Sequence, residues 1–115
     1  MERTPQETFQ RHVAALTAGD MEALVADYAE DALVLTLTGE YRGRSAIREL
    51  FEGLGKALPN LAIEADAAVF AGDVLLLRWR ADSSLNVVED AVDTFVFHDG
   101  LIQIHTISAT LKPKS

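Results

Sequence analysis

The stretch Glu89-Asp90-Ala91-Val92-Asp93-Thr94-Phe95-Val96-Phe97-His98-Asp99-Gly100-Leu101-Ile102-Gln103-Ile104-His105-Thr106-Ile107-Ser108-Ala109-Thr110 decides how this chain folds. Two runs rich in β-branched and aromatic residues flank His98-Asp99-Gly100, which is hairpin chemistry. A three-residue loop, a type I turn closed by Gly100 in the left-handed region, pairs Phe97 with Leu101. Counting back by twos sets Phe95 against Gln103, Asp93 against His105 and Ala91 against Ile107. Opposed residues share a face of the sheet, so this register places an acid and an imidazole side by side among Phe95, Phe97 and Ile107. A two-residue Asp99-Gly100 turn is the competing register. It sets Thr106 against Asp93, because a slip of one residue reverses every side chain.

Before this hairpin the spacing predicts two more strands, roughly 61–70 and 74–82, with Gly72-Asp73 as one turn and Ser83-Ser84-Leu85-Asn86 as another. The hairpin strands themselves span roughly 87–97 and 101–111, and Lys112–Ser115 reads as a frayed tail. The first half is helical. Thr4-Pro5-Gln6-Glu7 is a capping box with proline at the first helical position. The helix it opens carries Phe9, His12, Val13 and Leu16 at helical spacing and stops at Gly19. Asp20 caps a second helix with Met21, Leu24, Val25 and Tyr28 on its apolar face. Ala32–Thr38 is a short strand, Gly39–Gly43 a turn, and Ser45 caps a third helix with Ile47, Leu50, Phe51, Leu54 and Leu58 on one stripe, ended by Pro59-Asn60.

The chain of 115 residues makes a single domain with one core. Its 49% apolar and 24% charged residues are those of an ordinary globular protein. The formal charge of −8 argues against nucleic acid or an anionic membrane surface as partner, since both need a basic face. There is no cysteine, so disulfides and thiolate chemistry are excluded. The N-terminal residues lack the apolar core of a signal peptide and no run reaches transmembrane length, so the chain reads as cytoplasmic. Three histidines at 12, 98 and 105 have no metal-ligand spacing, and neither a phosphate loop nor a dinucleotide fingerprint is present. No metal and no cofactor are expected.

Helices followed by an antiparallel meander give an α+β fold with the helices on one face of the sheet. A strongly curved sheet with three N-terminal helices on its concave side leaves a tapered cavity, where small-molecule sites form. The order of elements resembles the nuclear transport factor 2-like superfamily of cone-shaped α+β barrels. Within it the chain looks most like the SnoaL-like polyketide cyclases and the ketosteroid isomerases. The resemblance covers essentially the whole chain. It rests on Arg11 to Asp20, on Tyr28-Ala29-Glu30-Asp31-Ala32, on Arg42-Gly43 followed by Ala46-Ile47-Arg48, and on Asp93 to Gly100. The SnoaL-like pattern Gly-x-Ile-x-x-His is met by Gly100, Ile102 and His105, while the acid that cyclases commonly carry just after it is replaced by Thr106-Ile107. The resemblance implies an oxyanion hole with His12 where the isomerases have a tyrosine and Asp93 where they have a protonated aspartic acid. It also implies a general base on the first strand, at or near Thr36, where this chain has no carboxylate. Fold resemblance alone does not assign an activity.

Asp93 lies among Ala91, Phe95 and Phe97 at two-residue spacing, so burial favours its neutral form, which donates a hydrogen bond to a developing oxyanion. The plainer alternative is a structural pair with an arginine. His105 serves as a proton acceptor whose tautomer Asp93 fixes, or as a histidine satisfied structurally by the same acid. If the two pair, Asp93 is the ionised partner, so its neutral-acid role and the dyad role exclude each other. His12 faces inward from the first helix, either as a third polar group of the site or as a hydrogen-bonded core residue. Tyr28, Thr36, Phe51, Leu54, Trp79, Phe95 and Ile107 are expected as pocket wall. Either Trp79, with Leu75 and Leu77, or its neighbours Arg78 and Arg80 point inward, and the apolar run favours Trp79. The functions that follow are an acid–base isomerase, cyclase or dehydratase acting on a small, largely apolar carbonyl compound, or a non-catalytic ligand-binding or dimeric association domain. In both cases Val92, Val96, Ile102 and Ile104 form an outer sheet face too apolar for open solvent, which predicts a homodimer.

Overall fold

A computed structural model describes residues 3–114; Met1, Glu2 and Ser115 lie outside the described residues. Helix α1 spans Pro5–Ala18. Its capping box is complete: the Glu7 N–H donates to Thr4 Oγ1 at 3.1 Å and the Thr4 N–H to Glu7 Oε1 at 2.8 Å. It ends at Gly19, whose φ of 70° is the left-handed cap that glycine adopts without strain. Asp20 caps α2, Met21–Ala26, through the Ala23 N–H at 3.1 Å. This helix stops earlier than its apolar spacing suggests. Asp27, 1% exposed, closes it and accepts from Arg3 at 2.8 Å and Arg11 at 3.4 Å. Tyr28 therefore does not sit on a helix; it opens strand β1, Tyr28–Thr36. Gly39–Arg42, expected as a turn, pairs antiparallel with β1 as β2. Helix α3 runs Arg44–Ala57 and starts at Gly43 (φ 86°), not at a Ser45 cap.

The remaining strands are β3 (Ala62–Ala71), β4 (Val74–Asp82), β5 (Asn86–His98), β6 (Leu101–Ser108) and the short β7 (Lys112–Pro113). The sheet order is β2-β1-β6-β5-β4-β3, with β7 pairing to β5. Neighbours are antiparallel except β1 and β6, which run parallel. The tail read as frayed is thus partly strand: Val87 pairs with Lys112 and Asn86 with Pro113. Three helices on a curved, unclosed sheet make the α+β cone. No helix among the described residues is long and apolar enough to cross a membrane.

The final hairpin follows neither expected register along its whole length. Asp99 and Gly100 both have positive φ, 51° and 77°, so the loop is a two-residue turn pairing His98 with Leu101 and Phe97 with Ile102. A β-bulge at Gln103 then adds one residue to β6, so Val96 faces Ile104, Phe95 faces His105 and Asp93 faces Ile107. The extra residue restores the lost parity. Ile102 and His105 both point into the cone, and Ile102, expected on the outer face, is fully buried. The main core gathers Tyr28, Ile47, Phe51, Leu75, Phe95 and Ile102, and Trp79 packs against both it and a smaller cluster around Leu58 and Val88.

Candidate functional site

Between α1, α3 and the inner sheet face lies a cavity of about 720 Å³. Its wall is apolar over most of its area, with Phe9, Leu16, Leu54, Leu77 and Phe95 among its surfaces. Uncharged polar residues Gln10, Thr17 and Asn60 line its exposed margin. Deeper in, four polar side chains face it: His12, Trp79, Asp93 and His105.

Strand alternation puts Ala91, Asp93, Phe95 and Phe97 on the inner face of β5. Asp93 pairs with Leu77, and Trp79 lies one inward position along β4, opposite Ala91. From that diagonal position its indole N–H donates to Asp93 Oδ1 at 2.9 Å. His105, opposite Phe95, stacks on that ring with centroids 3.9 Å apart. Its Nε2 lies 2.7 Å from Asp93 Oδ2, and its Nδ1 lies 2.8 Å from the Tyr28 hydroxyl. Tyr28 sits behind His105, fully buried and outside the cavity wall.

The protons in this chain of four groups follow from the donor inventory. Indole N–H only donates, so Asp93 Oδ1 accepts. The Tyr28 phenol is held well above its ordinary pKa, by burial first and then by the charges of Asp93 and Asp27. It therefore keeps its proton. Among the described residues His105 Nδ1 is the only acceptor within its reach, so Tyr28 donates there. The His105 proton is then on Nε2 and points at Asp93. Asp93 receives an N–H on each oxygen, the environment of a carboxylate and not of a neutral acid that donates. Both ring nitrogens of His105 are engaged within the protein, while Asp93 keeps spare lone pairs beside the cavity.

His12 is different. It is 4% exposed, and its ring meets Tyr28, Phe51, Phe95 and His105 edge-on at centroid distances of 5.5–6.0 Å. Its Nδ1 is buried without a hydrogen-bond partner. Burial, and secondarily the neighbouring His105, lower its pKa from 6.5 to about 3, so it stays a neutral imidazole.

Of the residues expected at the site from sequence, His12, Phe51, Leu54, Trp79, Asp93, Phe95, His105 and Ile107 line the cavity. Tyr28 and Thr36 do not. Thr36 closes the β1–β2 turn, where its Oγ1 meets Thr38 Oγ1 at 3.0 Å and accepts from the Thr38 N–H at 3.1 Å. Trp79 points inward, while Arg78 and Arg80 lie outside against Asp90 at 3.8 Å and Glu64 at 3.1 Å. Sequence reasoning missed two functions within the network: the indole of Trp79 as a donor to Asp93, and the phenol of Tyr28 as the partner of His105. Leu77, expected to point inward with Trp79, lines the cavity as well.

A family profile described as a SnoaL-like domain matches residues 9–105. No curated protein sequence matches the chain. Among solved structures the fold is similar to a candidate polyketide cyclase from Sinorhizobium meliloti, at 22% identity and a TM-score of 0.79 over 88% of this chain and 93% of that one. It is also similar to IdmH, a candidate polyketide cyclase from Streptomyces antibioticus, at 19% identity and a TM-score of 0.77 over 93% and 92% of the two chains. A candidate ketosteroid isomerase from Kribbella flavida aligns at 13% identity with a TM-score of 0.78 over 92% of this chain and 77% of that one. The TM-scores establish the shared fold, and identities this low leave the activity open. With the profile spanning both His12 and His105, the chain belongs to the SnoaL-like domain family of the nuclear transport factor 2-like superfamily.

Proposed function

We propose that the protein binds a small, largely apolar carbonyl compound in the cone and moves a proton on it, with Asp93 as the proton acceptor. The observation that carries this reading is a carboxylate facing an apolar cavity with each oxygen held by one N–H, from Trp79 and from His105. Two donors fix its orientation without a neutralising cation, so a lone pair remains for a C–H next to a carbonyl. His12, neutral and part of the cavity wall, supplies a ring N–H for the oxygen on which charge develops. Isomerisation, cyclisation and dehydration all begin with such a proton abstraction. His105 and Tyr28 are positioning residues in this scheme. The test is titration with a steroidal enone and with a phenolic mimic of the enolate. Saturable binding that weakens in Asp93→Asn is the expected result; no saturable binding, or binding indifferent to that change, would refute it.

A non-catalytic ligand-binding role is the second reading, favoured by Thr36: the first strand offers no second carboxylate, and its hydroxyl serves a turn. Retained binding of the enone with no turnover of any carbonyl substrate would decide for it.

We also propose that a second copy of the chain covers the outer sheet face. Cross-strand rows there read Ala71-Val74-Val96-Ile104-Leu33 and Val69-Leu76-Thr94-Thr106-Leu35, with no charge in either. Val69, Leu76 and Val74 are 59%, 51% and 43% exposed. Arg78–Asp90 and Arg80–Glu64 pairs flank these rows, so two faces meet without net repulsion. Sedimentation is expected to show a dimer at micromolar concentration and a monomer for Leu76→Lys. A monomeric wild type would overturn this assignment.

A further inference from the structure

We propose that the cavity is a charge filter: it takes uncharged ligands and turns away anions, and Asp93 is the element that discriminates. This rests on the cavity being the ligand site, as proposed above. Among the described residues no lysine or arginine lines the wall, and Asp93 is its only acidic side chain. The cations adjacent in sequence to wall residues stay outside it: Arg11, Arg78, Arg80 and Lys112 are paired with Asp27, Asp90, Glu64 and Glu89, and Lys56 is exposed on α3. The donors that face Asp93, Trp79 Nε1 and His105 Nε2, are already spent on it, and the Tyr28 hydroxyl is spent on His105. His12 carries no charge to offer. A carboxylate or sulfonate entering the cone thus loses its hydration and meets a like charge in an apolar enclosure, where such repulsion is far stronger than in water. A ketone, enone or phenol meets no such opposition. The filter differs from the general repulsion that a chain of net charge −8 exerts on anions, because that surface field is screened over about 8 Å at physiological salt.

The experiment uses two fluorescent probes of nearly the same skeleton, uncharged N-phenyl-1-naphthylamine and anionic 1-anilinonaphthalene-8-sulfonate, titrated into the full chain at low and at high salt. The uncharged probe is expected to bind more tightly, by about tenfold or more, with a ratio that salt leaves unchanged. Asp93→Asn is expected to narrow that ratio by about tenfold, through tighter binding of the anionic probe, and a cooperative thermal transition followed by circular dichroism reports that the variant is folded. Leu54→Arg, which places a cation on the half-buried wall without touching Asp93, is expected to narrow it as well and decides the matter if Asp93→Asn does not fold. A ratio that survives these changes, or one that collapses in high salt, overturns the filter while leaving the cavity as a binding site. If neither probe saturates, the binding site itself is refuted and the filter with it.

Discussion

Replacing Tyr28 by phenylalanine removes one oxygen atom from a fully buried ring and leaves the ring's packing in place. The lost hydroxyl is the donor to His105 Nδ1 at 2.8 Å, and no other donor to that nitrogen exists among the described residues. A buried acceptor left unsatisfied costs about 1–3 kcal/mol, and the hydroxyl's own desolvation is recovered only in part, so a loss of about 2 kcal/mol is expected. For a chain of 115 residues the entropy of unfolding is about 0.24 kcal/mol/K, which converts that loss to a fall in Tm of about 8 °C. Calorimetry gives Tm, and urea titration should show a lower midpoint with an unchanged slope. Ring-nitrogen NMR on the wild type at neutral pH supplies the independent check: His105 should carry its proton on Nε2, with Nδ1 bare. A Tm within about 2 °C of the wild type, or a protonated Nδ1, would break the hydrogen-bond sequence on which the ionised Asp93 depends.

Trp79→Phe keeps an aromatic ring on the wall but withdraws the N–H from Asp93 Oδ1. It should cost about 1.5–3 kcal/mol by denaturant titration and weaken binding of the enolate mimic. His12→Phe removes a buried nitrogen that has no partner, so stability should hold or rise by up to about 1 kcal/mol while carbonyl binding falls, the opposite pairing of effects from a structural residue. The same residue shapes the acid limb of stability. Its folded pKa of about 3 lies below its unfolded value of 6.5, so the unfolded chain binds the proton first and stability falls as pH drops from about 6.5 towards 3. That one group contributes a slope of about 1.4 kcal/mol per pH unit, and His12→Phe should flatten the measured curve by close to one proton. Phe51→Ala, at a residue 3% exposed beside His12, should cost about 3–5 kcal/mol by opening the core next to the cavity.

How much of this was legible in the sequence differs from residue to residue. Thr4 and Glu7 announced α1, and Gly19 its end, because caps are local chemistry read from a few neighbours. Trp79 was placed inward by simple alternation against Leu75 and Leu77, and the structure agrees. The shared face of Asp93 and His105 was also expected, but through a three-residue loop that does not form. A two-residue turn and a bulge at Gln103 reach the same face, and nothing in Ile102-Gln103-Ile104 marks an extra residue before strand pairing is known. Tyr28 fitted a helical stripe as well as a strand. Only the burial of Asp27 with Arg3 and Arg11, which are distant in sequence, ends the helix before it. The hydrogen bonds that hold Asp93 were hidden for a related reason: its two partners, Trp79 on β4 and His105 on β6, are tertiary neighbours that no local pattern names.

The most direct test of Asp93 as the cavity's proton acceptor is exchange of the α-protons of an uncharged bicyclic ketone, 2-tetralone, in heavy water followed by proton NMR. The wild type is expected to accelerate exchange above buffer, with Asp93→Asn losing about 10²–10⁴-fold of that acceleration and His12→Phe a smaller part. Exchange at the buffer rate, or exchange that Asp93→Asn leaves intact, would contradict it.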